Sequence, residues 1–180
     1  MTEGVLIDEG GNRFAGFNDE DNHWHFVIDR EPPTGTFNPA NESTGNAVDT
    51  DITLSFEEVV FLSADGSDLT NDNVDALITL KEDDESGSNI AFDATVANGE
   101  ETVITVNPND NFPSEQRVYV SIGATLKDEA GNFIEEDEAT FTTADVEEPT
   151  LTFDPVNDAT GFDPDADITI TFSEPVMAAD

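Results

Sequence analysis

The stretch PPTGTFNPANESTGNAVDTDITLSFEEVV at Pro32–Val60 occurs a second time, as EPTLTFDPVNDATGFDPDADITITFSEPV at Glu148–Val176, with 15 of 29 positions identical at an offset of 116. Inside the two copies, DITLSF and DITITF alternate apolar with polar residues, the period of a strand that buries one face. A shorter phrase repeats at an offset of 120, LIDEGGN at Leu6–Asn12 and LKDEAGN at Leu126–Asn132, with five of seven positions identical. Such a period is too long for a solenoid unit of 20–50 residues and matches one whole all-β domain. The sequence therefore divides into the closing part of one unit (1–30), a complete unit (31–146) and the opening part of a further unit (147–180). The joints are the acidic, proline-bearing stretches IDREPPT and ADVEEPT. Proline stiffens a connection and removes a backbone donor.

Within the complete unit, the alternation predicts strands near Thr34–Phe37, Asp51–Phe56, Ala76–Lys81, Ile90–Val96, Thr102–Val106, Arg117–Leu126 and Glu138–Thr143. Ile52, Leu54 and Phe56 face inward from one strand, and Ile90, Phe92, Ala94 and Val96 from another. LTNDNVDAL at Leu69–Leu77 has room for a helical turn before the third strand. KDEAGN lies between the long strand and the last one, so Gly131–Asn132 supplies turn chemistry to a hairpin loop. DEGGN plays the same part for the preceding unit, whose final strand is HWHFVID. Seven short strands in about 115 residues is the count of an immunoglobulin-like sandwich, so the fold class is all-β.

Composition bounds the function. The chain has 180 residues with 42 Asp plus Glu against 5 Lys plus Arg, a formal charge of −37, so nucleic acid and anionic membranes are repelled and cations are the natural partners. That density of like charge opposes compaction unless salt or bound divalent ions screen it. With 36% hydrophobic residues and 13 Phe there is still enough apolar material for a core. Without cysteine there are no disulfides or thiolate metal sites, and redox chemistry gives no compartment. No apolar run is long enough to span a bilayer, and residues 1–20 lack the basic and apolar regions of a signal peptide.

The proline-led opening with NPAN or DPVN, the DITLSF and DITITFSEPV strands, the D-x-x-GN loop and the closing W-x-F or TFTTAD strand together resemble the bacterial Ig-like domains strung in tandem through large surface adhesins and S-layer-associated proteins. FEEVV at Phe56–Val60 departs from the FSEPV form. The resemblance implies an extracellular spacer or adhesive role, often stiffened by calcium, and no catalysis.

Catalytic chemistry finds little else to stand on. With 42 carboxylates, chance pairs are expected and carry no general acid–base argument. A Ser-His-Asp arrangement has only His23 and His25 to draw on; alternation sets them on one face, with Trp24 and Phe26 on the core side, which reads as a solvent-facing pair rather than a transition-metal site. The one Trp and one Tyr sit at positions that suit a core, not a sugar-binding platform. Asn41–Ser43 fits a glycosylation sequon that its counterpart at 157–159 lacks, so a solvated loop is the plainer reading.

Calcium is the better candidate, because hard cations take 6–8 oxygens from carboxylates and carbonyls held by loops. In an Ig-like sandwich one end gathers Asp49 and Asp51, Asn109 and Asp110, and Asp145 with Glu147 and Glu148. The opposite end gathers Asp29 and Glu31 from the incoming joint with Asp128 and the Glu135–Asp137 run. Asp49, Asp51 and Asp145 recur through the repeat as Asp165, Asp167 and Asp29. These acids equally fit the solvated loops of a salt-adapted protein, since no EF-hand spacing is present. The sequence thus points to a segment of a tandem Ig-like surface protein or filament whose partners are neighbouring repeats, copies of itself and divalent cations. A self-assembling fibre or surface-layer subunit that polymerises head to tail by strand addition stays open beside it, as does a non-catalytic accessory region of a secreted hydrolase.

Overall fold

The structure, a computed structural model, describes residues 6–13, 28–98 and 102–178. The final strand expected at HWHFVID, with His23, Trp24, His25 and Phe26, lies almost wholly outside the described residues. Among the described residues twelve short strands form: β1 (Gly35–Asn38), β2 (Ser43–Asn46), β3 (Ile52–Phe56), β4 (Phe61–Leu62), β5 (Ile78–Glu82), β6 (Phe92–Asn98), β7 (Thr102–Pro108), β8 (Arg117–Ile122), β9 (Leu126–Lys127), β10 (Asp137–Thr143), β11 (Leu151–Asp154) and β12 (Thr169–Phe172). Among the described residues, one 3₁₀ turn at Asp75–Leu77 is the whole of the helix. No helix there is long and apolar enough to cross a membrane.

Two four-stranded sheets, ordered β1-β3-β7-β6 and β2-β10-β8-β5, share one core. The first supplies Phe37, Ile52, Leu54, Phe56, Ala94, Ile104 and Val106 to it, and the second Ile78, Leu80, Val118, Val120, Ile122, Ala139 and Phe141. β3 buries alternate residues only, as its sequence period requires. Phe112, from the loop before β8, closes one end by an edge-on contact with Phe141, ring centroids 5.7 Å apart. The strand order is that of an immunoglobulin-type sandwich, with β2 crossing over to run parallel to β10. β1, β3, β5, β6, β7, β8 and β10 fall where the alternation predicts them.

Two features differ from the sequence reading. Arg117–Leu126 is not one strand: β8 ends at Ile122, Thr125 N–H turns back onto the Gly123 carbonyl at 2.7 Å, and Leu126–Lys127 pairs with β4 instead. β2 is polar, STGN, so no apolar period announces it; Asn41 Oδ1 and Asn46 Nδ2 pin it to β10 by bonds to Thr140 N–H and the Thr142 carbonyl. The helical turn for which Leu69–Leu77 has room is the 3₁₀ turn at Asp75–Leu77, preceded by Thr70–Asn73 closing on itself through a side-chain bond.

At 151–172 the repeated sequence takes up the same local geometry as its first copy. β11 pairs with β12 in the register Leu151↔Phe172, which is Gly35↔Phe56 shifted by 116 at both ends. The left-handed residues Glu42 and Gly45 recur as Asp158 and Gly161. Both Asn38-Pro39 and Asp154-Pro155 are cis.

Candidate functional site

Three separate chain segments arrive at one end of the sandwich carrying a carboxylate each. Asp29 comes from the segment leading into β1, Glu58 follows β3, and Asp128 follows β9; an oxygen from each lies within 4.8 Å of the others. Hydrogen bonds hold the Asp128 and Asp29 carboxylates and the backbone at Glu58. Asp128 opens the loop at 128–132, in which its Oδ1 accepts the Asn132 backbone N–H at 2.8 Å and its Oδ2 accepts Asn132 Nδ2 at 2.7 Å. Gly131 has φ +92°, a conformation that a side chain disfavours, which is why the phrase carries glycine there. The Glu58 carbonyl accepts Thr102 N–H at 3.2 Å, and Thr102 Oγ1 in turn accepts Val60 N–H at 3.1 Å, holding the chain after β3 against β7. Asp29 Oδ1 accepts Glu31 N–H at 3.0 Å, and Asn132 Nδ2 reaches the Glu31 carbonyl at 3.4 Å, tying the incoming segment to the same loop.

The electrostatics follow from that convergence. Partial burial, followed by the charges of Asp128 and Asp29, raises the Glu58 pKa above its ordinary 4.5. Burial alone would raise Asp128 too, because it is only 2% exposed; the bonds from Asn132 and from the Gly131 and Ala130 amides outweigh it and hold the carboxyl below 3.8. Each bonded carboxylate oxygen keeps a further lone pair. The arrangement is oxygen-only and anionic, open on the exposed Asp29 side, and it suits a hard divalent cation better than a transition metal.

Part of this trio recurs. Asp29 and Glu58, shifted by 116, are Asp145 and Glu174. At that second place desolvation, then the charge and hydrogen bond of Asp145, then the charges of Glu115 and Glu147, raise the Glu174 pKa. The loop of the third member recurs as well: Asp8 accepts the Asn12 backbone and side-chain N–H at 2.9 and 2.8 Å, and those bonds lower its pKa.

The other residues named from sequence fall into separate groups. Asp49, Asp51 and Asp110 line a hollow of about 120 Å³ together with Asn107 and Asn111. Asp145 is not part of its lining; its Oδ1 accepts Ser114 Oγ at 3.1 Å and Glu147 N–H at 3.2 Å, on the outgoing segment. Glu31 and the Glu135–Asp137 run rim a larger cavity of about 470 Å³ floored by Pro33, Phe56, Ile122 and Ile134, beside the trio rather than in it. Asp165 and Asp167 are exposed near β12, with the Asp165 N–H donating to Asp163. Sequence reasoning passed over Glu58, although the repeat held the signal: in FEEVV and FSEPV the second acidic position is the one that persists.

With this geometry in place, comparison adds a family. The model for a bacterial Ig-like domain matches residues 29–143. No curated protein matches the chain.

Proposed function

Because the chain belongs to the bacterial Ig-like domain family, we propose that it is a length of an extracellular, rod-forming surface protein, an adhesin or filament spacer whose job is reach and stiffness, with calcium bound where successive units meet. Domains of this family are commonly found on extracellular proteins and are generally non-catalytic. In this reading 1–30, 31–146 and 147–180 are the end of one unit, a whole unit and the start of the next. The repeated register of β1–β3 in β11–β12 supports the division.

The observation that carries the calcium reading is the convergence of Asp29, Glu58 and Asp128 within 4.8 Å. One member comes from the joint and two from the body of the sandwich. Three like charges so placed oppose folding and oppose the docking of the joint, whereas a divalent ion reverses both effects. The pairing of Asp145 with Glu174 puts the same two residue types at the outgoing joint. About 10 mM CaCl₂ should raise the melting temperature of the full chain above that in NaCl of matched ionic strength. Equal melting temperatures would leave screening as the sole effect of salt.

A second reading, head-to-tail assembly by strand addition, is favoured by β11 and β12. Phe153, Ile170 and Phe172 occupy the places of the buried Phe37, Leu54 and Phe56, yet are 43–52% exposed. Light scattering after size-exclusion chromatography, with and without calcium, separates the two, since a strictly monomeric chain defeats the assembly reading.

A further inference from the structure

We propose that Asn71 and Asp75 form a side-chain clasp over the free edge of β6, and that without the clasp this edge pairs strand to strand with β6 of a second copy of the chain. Among the described residues, β6 pairs with β7 on one side and with no strand on the other. It is the longest edge strand of the two four-stranded sheets, seven residues against four in β1, four in β2 and five in β5. It is also nearly free of charge in a strongly acidic chain, with Asp93 alone. Long, flat edges of low charge are templates for another strand.

In an antiparallel pair, amides point alternately into the ladder and away from it. On β6 two alternate amides, those of Ala94 and Val96, meet side chains instead of a strand. Ala94 N–H donates to Asp75 Oδ1 at 2.7 Å and Val96 N–H to Asn71 Oδ1 at 2.9 Å. Both acceptors sit on the connection into β5, 19 and 25 residues upstream of their donors. That connection is anchored rather than loose: Leu69 and Val74 are buried in the core, Thr70 N–H donates to Asn73 Oδ1 at 2.9 Å, and Asn73 Nδ2 donates to the Asp68 carbonyl at 3.1 Å. The clasp thus satisfies the two central donors an incoming strand would need and sets the Asp75 carboxylate where that strand's carbonyl row would lie.

A second copy fits the uncovered edge by its own sequence. The solvent-facing residues are Asp93, Thr95 and Ala97. Two-fold antiparallel pairing about Thr95 sets Thr95 against Thr95 and Asp93 against Ala97, so no carboxylates oppose each other directly. This edge belongs to β6 and not to β11 or β12, and the inference does not depend on calcium.

The test uses the full chain carrying Asn71→Ala and Asp75→Ala together, in about 1 M NaCl, where the Debye length falls to about 3 Å and net charge no longer keeps copies apart. Over a concentration series, light scattering should show the double variant moving to twice the parent's mass. In dilute solution its Ala94 and Val96 amides should exchange several-fold to roughly tenfold faster than the parent's. Adding Val96→Pro, which deletes an outward N–H and spares the β7 ladder, should return the mass to the parent value. A double variant with the parent's circular dichroism and the parent's mass throughout overturns the proposal. If the double variant does not fold, Asn71→Ala alone decides: it should lower the denaturation midpoint of the parent and leave that of the Val96→Pro chain unchanged. The same loss in both backgrounds overturns the clasp.

Discussion

Replacing Glu58 by Gln should shift stability in opposite senses without and with calcium. In EDTA the Glu58 carboxylate lies within 4.8 Å of both Asp29 and Asp128. At that separation a like-charge pair costs about 1 kcal/mol in a water-like medium and about 3.5 kcal/mol at an effective dielectric of 20. Because Asp29 is exposed and Glu58 only partly buried, the low end applies, and Glu58→Gln should stabilise the metal-free chain by about 1–3 kcal/mol, or roughly 4–12 °C for a domain near 115 residues. With calcium the argument turns over. A site with a dissociation constant of about 10⁻⁴–10⁻³ M, at about 10 mM Ca²⁺, would stabilise the parent by about 1.4–2.7 kcal/mol. The variant lacks one of the three carboxylates and should lose most of that gain. The pH dependence gives an independent sign. Glu58 has a raised folded pKa, so between the ordinary 4.5 and that raised value the folded state binds more protons than the unfolded. The metal-free parent should therefore recover stability relative to the variant as pH falls through that window. Scanning calorimetry in EDTA and in calcium, each at several pH values, reads all three effects. A variant less stable than the parent in EDTA, or one gaining as much from calcium as the parent, would refute the reasoning.

Other perturbations separate the parts of the account. Asp128→Ala removes the acceptor of two Asn132 bonds at a site 2% exposed and should cost about 1–3 kcal/mol at neutral pH in denaturant titrations. Since the folded pKa of Asp128 is depressed, that cost is present above about pH 3.8 and should shrink as pH falls through the depressed value. Phe56→Ala should cost about 3–5 kcal/mol, because the ring is 2% exposed. Phe92→Ala should cost less in the same assay, as Phe92 is only partly buried at the sheet edge. A Cβ at Gly87 would stand 1.6 Å from the Glu82 carbonyl oxygen, so Gly87→Ala should lower the unfolding free energy in denaturant titrations by about 1–3 kcal/mol through forced movement of the loop after β5.

Periodicity decides how much of the fold is legible in the sequence. Ile52, Leu54 and Phe56 alternate cleanly, and β3 lies where they place it. β2 has no such pattern, because its sheet position comes from side-chain bonds to β10, which sequence does not encode locally. The alternation overstates β8 because Leu126 continues it, while the break at Gly123–Thr125 is made by a turn and by a change of partner strand. At the candidate site, the meeting of Asp29 with Asp128 followed from strand order and the repeat. Glu58 did not, for in so acidic a chain one more glutamate after a strand is unremarked until three-dimensional convergence singles it out. The separation of Asp145 from the hollow lined by Asp49, Asp51 and Asp110 was likewise invisible, because both groups belong to the same end of the sandwich.

The claim that calcium stiffens the joints can be measured as a distance. The chain has no cysteine, so Thr95→Cys on β6 and Thr152→Cys on β11, both at exposed positions, would carry spin labels at two defined places on either side of the Asp145–Pro149 segment. In EDTA, electron–electron double resonance should give a broad distance distribution, since an acidic linker repels itself and samples many orientations. Calcium should narrow it to a single peak, and Asp145→Asn combined with Glu174→Gln should keep it broad. A distribution of the same width in calcium and in sodium of matched ionic strength would contradict the account.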